Sequence, residues 1–246
     1  MLRIVQAIWL ALAALILPGC DAMPWQTWAE PKGYLLDYCG TKILIPEAYT
    51  TEVIDREGTA PSNFLMASWP SMNGWRTPDP SDERRGSRSR ISIMLGFGGG
   101  CNTPYSDRIE RVFREYKDGG AYLGRERPTA KQLPDFEGFQ HFVRRHSERE
   151  MVMGAFSETD IFIRRSDEGE AEAVLICSGE PVKPNRYPQC KFLFEHPDNP
   201  LFRVEVDFDR NRRFGELHAI ESRVIDKLRE FEAAAAEKAM SDRQTR

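Results

Sequence analysis

The sequence predicts an α+β fold in which antiparallel β-sheet is combined with two principal helices. Two observations predict it: short stretches of alternating apolar and polar residues, and two segments with helical apolar spacing. The 246-residue chain is 41% hydrophobic and 29% charged. This composition is typical of a globular protein and excludes a collagen-like, fully disordered or multi-span membrane chain. The formal net charge of −4 argues against a nucleic-acid binder, and no nucleic-acid partner is predicted.

The N-terminal residues have the pattern of an export signal. A basic start at Arg3 is followed by an apolar run over residues 4–17 and then by Leu17-Pro-Gly-Cys20. This order predicts a signal peptide over residues 1–19, because the run is shorter than the ~20 residues that a bilayer-spanning helix needs. Leu-x-Gly-Cys resembles the lipobox of bacterial lipoproteins, which implies lipidation of Cys20. Plain secretion and an uncleaved anchor are the alternatives.

Residues 20–33 are expected to form the lipidated cysteine and a tether. Trp25 and Trp28 could rest at lipid headgroups or pack on the domain. The predicted location is the periplasmic face of a bacterial membrane. Asp21 after the cysteine resembles the inner-membrane retention signal of enteric bacteria.

The remaining 34–246 are predicted to form a disulfide-stapled α+β domain. In its first half, Ile109, Val112, Phe113 and Tyr116 share one face of a helix over about 105–117. The predicted strands before that helix are 34–39, 42–45, 63–69 and 90–97.

The second half repeats the order of strands followed by a helix. The C-terminal helix is predicted over about 215–239, and the repetition is compatible with two similar sub-domains, 34–120 and 121–246. Its apolar stripe consists of Leu217, Ile220, Val224, Leu228 and Phe231. The predicted strands are 138–143, 151–156, 159–163, 173–177, 190–194 and 202–208.

The cysteines support an oxidising compartment. Four cysteines allow three disulfide connectivities. Cys177 ends one apolar run, Cys190 begins the next, and a Gly-, Pro- and Asn-rich stretch separates them, so we pair Cys177 with Cys190 and Cys39 with Cys101. A metal site is the alternative, but no CxxC spacing is present.

No motif predicts catalysis, a cofactor or a metal. The chain has no GxSxG, Walker or HExxH sequence. Asp207-x-Asp209-x-Asn211 opens like a calcium loop, but Arg212 and His218 stand where the turn glycine and the bidentate glutamate belong. Structural or surface roles are expected for the four histidines, which are His141, His146, His196 and His218.

One layout resembles a known family. Tyr38-Cys39-Gly40 leads into 45–49, and Cys177 comes much later, followed by Pro188-x-Cys190. An acidic-basic strand then runs into a helix over 214–231. On a lipidated N-terminus, this layout resembles periplasmic immunity lipoproteins of type VI secretion lipase effectors. The resemblance implies a non-enzymatic protein that blocks a phospholipase toxin by direct binding, with no catalytic residues to carry over.

A contact surface for such a partner is expected in the polar segment 71–88. Trp75 and the basic side chains that follow it are candidate anchors, because Trp and Arg are favoured at interfaces. A solvated loop is the alternative for these arginines, which are Arg84, Arg85 and Arg88. Two other functions stay open: a structural or assembly lipoprotein of the cell envelope, and a hydrolase with a dispersed site.

Overall fold

The computed structural model describes most of the chain from Gly33 onward. The described residues are 33–38, 40–50, 64–77, 90–96, 105–118, 120–122, 125–127, 129–154, 156–183 and 186–244. The predicted signal peptide, Cys20 and the tether up to residue 32 lie outside them.

A β-hairpin opens the described part of the chain. Strands β1 (Gly33–Tyr38) and β2 (Thr41–Pro46) pair antiparallel, with Tyr38 opposite Thr41. Gly40 in the turn has a φ of 87°, a conformation that glycine adopts without steric cost. The hairpin predicted from the sequence is therefore confirmed, and a short 3₁₀ turn at Glu47–Tyr49 follows it.

An eight-stranded antiparallel sheet forms the centre of the fold. Its strands are β3 (Phe64–Ser68), β4 (Arg90–Leu95), β7 (Lys131–Phe136), β8 (Phe139–Arg145), β9 (Glu158–Arg165), β10 (Ala171–Ser178), β11 (Gln189–His196) and β12 (Asn199–Asp209). Their order across the sheet is β3-β4-β12-β11-β10-β9-β8-β7. Strands from both predicted sub-domain ranges, 34–120 and 121–246, lie in this one sheet. A separate two-stranded ribbon pairs β5 (Gly120–Tyr122) with β6 (Arg125–Arg127).

The two faces of the sheet differ because side chains alternate along each strand. In β12, Val204 and Val206 belong to a large apolar core on one face, whereas Arg203 and Glu205 occupy the alternate positions. Helix α1 (Tyr105–Lys117) packs on the second face through a smaller core that includes Ile109 and is centred on β9 and β10. The α+β class is confirmed, with helices on both faces of an antiparallel sheet.

The C-terminal helix covers the first face. It follows a short helix, α3 (Arg210–Arg213), and a 3₁₀ turn, and it spans Leu217–Gln244, five residues beyond the predicted end. Each buried Leu, Ile, Val or Phe side chain contributes about 1.5–3 kcal/mol relative to an exposed one. The predicted apolar stripe is buried and continues by one turn, as Leu217, Ile220, Val224, Leu228, Phe231 and Ala235.

One predicted strand is wrong. Residues 151–156 were expected to form a strand, but Glu148–Gly154 form a helix, which we label α2. The C-terminal helix Leu217–Gln244 is therefore labelled α4. The Ser147 hydroxyl accepts a hydrogen bond from the Glu150 backbone N–H, and the Glu150 carboxylate accepts one from the Ser147 backbone N–H. This reciprocal capping box starts the helix, and the apolar run after it lacks the alternation of a half-buried strand.

Candidate functional site

The predicted disulfide between Cys177 and Cys190 is present. The two residues are directly opposite each other on β10 and β11, their Cα atoms are 4.1 Å apart, and both side chains are buried. The bond therefore closes the base of the β10–β11 loop, as the sequence predicted. Cys39, Cys101 and Cys20 lie outside the described residues.

Both ends of that loop are held by further contacts. On the β10 side, Gly179 N–H donates to Glu158 O (2.8 Å) and Ser157 N–H donates to Glu180 O (3.0 Å). On the β11 side, the Arg210 backbone N–H donates to Pro188 O at 3.0 Å. The Arg210 side chain also donates to the carbonyl of Ser178 at 2.7 Å. The base of the loop is thus fixed from two directions.

Trp75 lies in a fixed position beside the edge of the sheet. It is half-buried rather than fully exposed, and its Nε1–H donates to the carbonyl of Thr50 at 2.9 Å. The guanidinium carbons of Arg76 and Arg90 lie 5.4 and 4.9 Å from the centre of its ring, within cation–π distance. Two arginines therefore lie near the Trp75 ring. The other predicted anchors lie outside the described residues; they are Arg84, Arg85 and Arg88.

A charged cluster lies on the face of β11 and β12 that α1 partly covers. The buried carboxylate of Glu205 accepts hydrogen bonds from Lys191 and Arg203. Burial alone would raise the pKa of Glu205, but these two cations hold it below its usual value. Burial raises the pKa of the neighbouring Asp207. Arg203 also lies 5.6 Å from the ring centre of Tyr105, the first residue of α1.

Because its charges compensate one another, this cluster links β11, β12 and the start of α1 electrostatically. The Glu205 carboxylate is bonded to both cations of the cluster, Lys191 and Arg203. In the sequence, the cluster residues of β11 and β12 appear only as polar positions of alternating strands. Lys191 and Glu205 are 14 residues apart and meet because β11 pairs with β12.

Among the described residues, His141 and Asp160 form a paired imidazole and carboxylate of the kind used in proton transfer. The His141 Nε2 lies 2.8 Å from Asp160 Oδ1, and the His141 ring stacks on Phe162 with 4.2 Å between ring centres. Arg210 contacts the other oxygen of Asp160 at 2.7 Å. A carboxylate-oriented imidazole could move a proton, but nucleophilic catalysis also needs a hydroxyl or thiol beside it. Within the described residues, the structure shows no such group hydrogen-bonded to His141.

Two other histidines bind neighbouring groups. His146 lies 2.7 Å from the Thr159 hydroxyl oxygen and 3.0 Å from the Phe156 carbonyl oxygen. His196 is buried against Phe202 and lies 3.2 Å from Glu232 on α4. These contacts fit the structural roles expected from the sequence.

The calcium-like segment forms a helix cap. The Asp209 side chain accepts a hydrogen bond from the Asn211 backbone N–H at 3.0 Å, and this starts α3. Across the described residues, the structure contains no group of three or more His, Cys, Asp or Glu side chains able to hold a metal ion. Among these residues, no helix combines the length and the apolar character of a membrane span.

Sequence reasoning missed one surface. Val152 on α2, and Val182 and Tyr187 on the β10–β11 loop, are 66%, 47% and 45% exposed. The sequence signal was the presence of large apolar residues inside a Gly- and Pro-rich turn region. Whether such residues are buried or exposed depends on the tertiary structure around them, which no local pattern shows.

Comparison with known proteins identifies a similar fold. No protein-family model and no curated protein sequence matches the chain. A solved structure described as an immunity protein of the Stenotrophomonas maltophilia type IV secretion system matches over 81% of this chain and 92% of its own. The two share 17% sequence identity with a TM-score of 0.53. At this level of identity, the chain shares the overall fold of that immunity protein.

Proposed function

We propose that this chain is a binding protein that neutralises an antibacterial toxin in the periplasm. The observation that carries the proposal is the similarity of fold to a secretion-system immunity protein, which extends over 81% of the chain. The resemblance of the sequence layout to lipoproteins that block lipase effectors points independently to the same kind of activity.

The geometry of the described residues supports binding more readily than catalysis. The charged cluster around Glu205 is internally paired, and the His141–Asp160 pair has no nucleophile beside it among the described residues. A disulfide-stapled sheet with both helical layers packed on it is a rigid support for side chains that contact a partner. A rigid surface lowers the entropy cost of association.

The proposal includes a lipid anchor at Cys20, after removal of residues 1–19, and a location on the periplasmic face of a membrane. A chain fastened there would reach a high effective concentration where a lipase attacks. A lipase is therefore the toxin class that we propose. The neighbour of known structure belongs to a type IV secretion system, whereas the sequence layout resembles partners of type VI effectors.

Capture and rescue test the inhibitory function. The full chain with a C-terminal affinity tag is expressed in its native cells, and captured proteins are directed singly to the periplasm of a heterologous bacterium. We expect one captured protein to stop growth and co-expression of the full chain to restore it. Recovery of envelope-assembly components alone, with no growth-inhibiting protein among them, would favour the structural lipoprotein and contradict our proposal.

Fractionation tests the anchor separately. We expect the wild-type chain to sediment with membranes and the Cys20→Ala variant to remain in the soluble periplasmic fraction. Equal sedimentation of the two would contradict lipidation at Cys20 without bearing on toxin binding.

A further inference from the structure

The surface missed by sequence reasoning has the composition of an interface. The described part of the chain has five strongly exposed large apolar side chains, and three of them lie on α2 and the β10–β11 loop. Single exposed apolar residues are ordinary, but grouped ones mark binding surfaces. We call Val152, Val182, Lys183 and Tyr187 the Val182 surface.

Two contacts join the segments that carry this surface. The ammonium group of Lys183 donates to the carbonyl of Val152, which connects the loop to α2. Phe156, just after α2, forms a β-bridge with Pro181 at the start of the loop. Val152 and Val182 are therefore presented by one connected unit.

That unit is held rigidly on its inner side. The disulfide and the Gly179 and Arg210 hydrogen bonds fix the base of the loop. At the start of α2, Glu150 receives hydrogen bonds from Ser147 and from Arg144 at 3.0 Å. Although burial alone would raise it, these contacts lower the pKa of Glu150 to about 2, so its carboxylate stays charged at neutral pH. Exposed side chains on a pre-ordered support lose little entropy on binding.

We propose that the Val182 surface inserts into an apolar cleft, bordered by carboxylates, on the protein partner of this chain; this inference rests on the proposed function. The exposed side chains of Val152, Val182 and Tyr187 are apolar, so the complementary surface of the partner is apolar as well. Two exposed cations, Lys183 and Arg186, are the sequence neighbours of Val182 and Tyr187. We expect carboxylates at the rim of the cleft to pair with them.

A protein cleft fits this surface better than an anionic bilayer does. Glu148, one helical turn before Val152, and Glu180, two residues before Val182, are both exposed. Anionic headgroups would repel these carboxylates. A protein can instead place individual donors opposite them.

Photo-crosslinking in native cells tests the proposal. The full chain carries p-benzoylphenylalanine in place of Val182 or, as the matched control, in place of Leu35, which is 51% exposed on β1. We expect a discrete protein adduct from position 182 and none from position 35. Adding Val152→Asp should reduce the adduct at least about tenfold, which is the effect of losing a contact near the centre of an interface.

Three results would overturn the inference: no protein adduct at position 182, an adduct formed only with lipid, or a protein adduct that Val152→Asp leaves unchanged. Circular dichroism and an unchanged urea midpoint confirm that Val152→Asp folds. The identity of the adduct separates the two proposals. A non-toxic partner that depends on Val152 would support the surface and contradict toxin neutralisation. If the Val152→Asp and Val182→Asp variants still rescue cells from a toxin, that result would support toxin neutralisation and contradict the Val182 surface.

Discussion

Cys177 and Cys190 occupy directly paired positions on neighbouring central strands, and their disulfide closes the β10–β11 loop at its base. The bond joins residues 13 apart in sequence, so it restricts a short loop in the unfolded chain. In the chain-entropy model, a loop of about this size contributes ~3 kcal/mol to stability.

We therefore expect the paired substitution of Cys177 and Cys190 by alanine to lower the free energy of unfolding by about 2–4 kcal/mol. Urea unfolding followed by tryptophan fluorescence measures this difference. Dithiothreitol is the internal control, because it should reduce the difference between wild type and variant. Identical urea midpoints for the two proteins without reductant would contradict a stabilising disulfide.

Gly74 lies where the 69–77 turn passes closest to the 3₁₀ turn at Glu47–Tyr49. A Cβ atom at this position would lie 2.5 Å from the carbonyl carbon of Ala48 and 2.6 Å from its oxygen. The backbone must shift to accept a methyl group, so we expect Gly74→Ala to destabilise the fold by about 1–3 kcal/mol. Chemical denaturation checks the value.

Gly215 provides the matched control for this substitution. A Cβ there meets nothing within 4 Å. Gly215→Ala should stabilise by about 0.4–1 kcal/mol, because alanine lowers the entropy of the unfolded chain. Equal effects of the two substitutions would show that close packing at Gly74 does not govern stability.

His196 should make stability depend on pH. Its Nδ1 accepts a hydrogen bond from the Asp198 backbone N–H at 3.3 Å, so the neutral ring carries its proton on Nε2, facing Glu232 at 3.2 Å. Burial lowers the pKa of His196 below 6.5; Glu232 and Asp198 oppose this shift and Arg229 adds to it. Because the unfolded state binds the proton more readily, this stabilisation is complete above the unfolded pKa and is lost as pH falls below it.

We expect the free energy of unfolding to fall more steeply between about pH 7.5 and pH 5.5 in wild type than in His196→Asn. Asparagine keeps an acceptor for the Asp198 N–H but does not titrate. Urea titrations at several pH values compare the slopes. Parallel slopes for the two proteins would mean that another group causes the pH dependence.

Local patterns in the sequence predicted most of the framework, and their failures have physical causes. The alternation in β12 and the apolar stripe of α4 arise because each element has one face toward the core, so both were visible. Strand β7 was missed because Pro134 lies inside it, and proline is tolerated only where a ladder hydrogen bond is dispensable. Helix α2 was missed because a short apolar run does not by itself distinguish a strand from a buried helix, and the capping box of Ser147 and Glu150 that decides between them was overlooked.

The contacts of the candidate sites were not predictable from local patterns. Asp160 lies between His141 and Arg210, although 19 and 50 residues separate them in sequence. Only the order of strands in the sheet brings such residues together. The partners of Trp75 depend similarly on the return of the 69–77 turn across the edge of β3.

Both outer strands of the described sheet discourage pairing with another chain. Thr50 and Gly74 bridge to β3, and Trp75 N–H donates to Met66 O at 3.1 Å, while Pro134 removes a backbone donor from the exposed strand β7. Open strand edges pair with the edges of other copies and promote aggregation. Because the outer edge of β3 is partly paired and β7 contains a proline, this fold favours contacts made through side chains over extension of its sheet by a partner's strand.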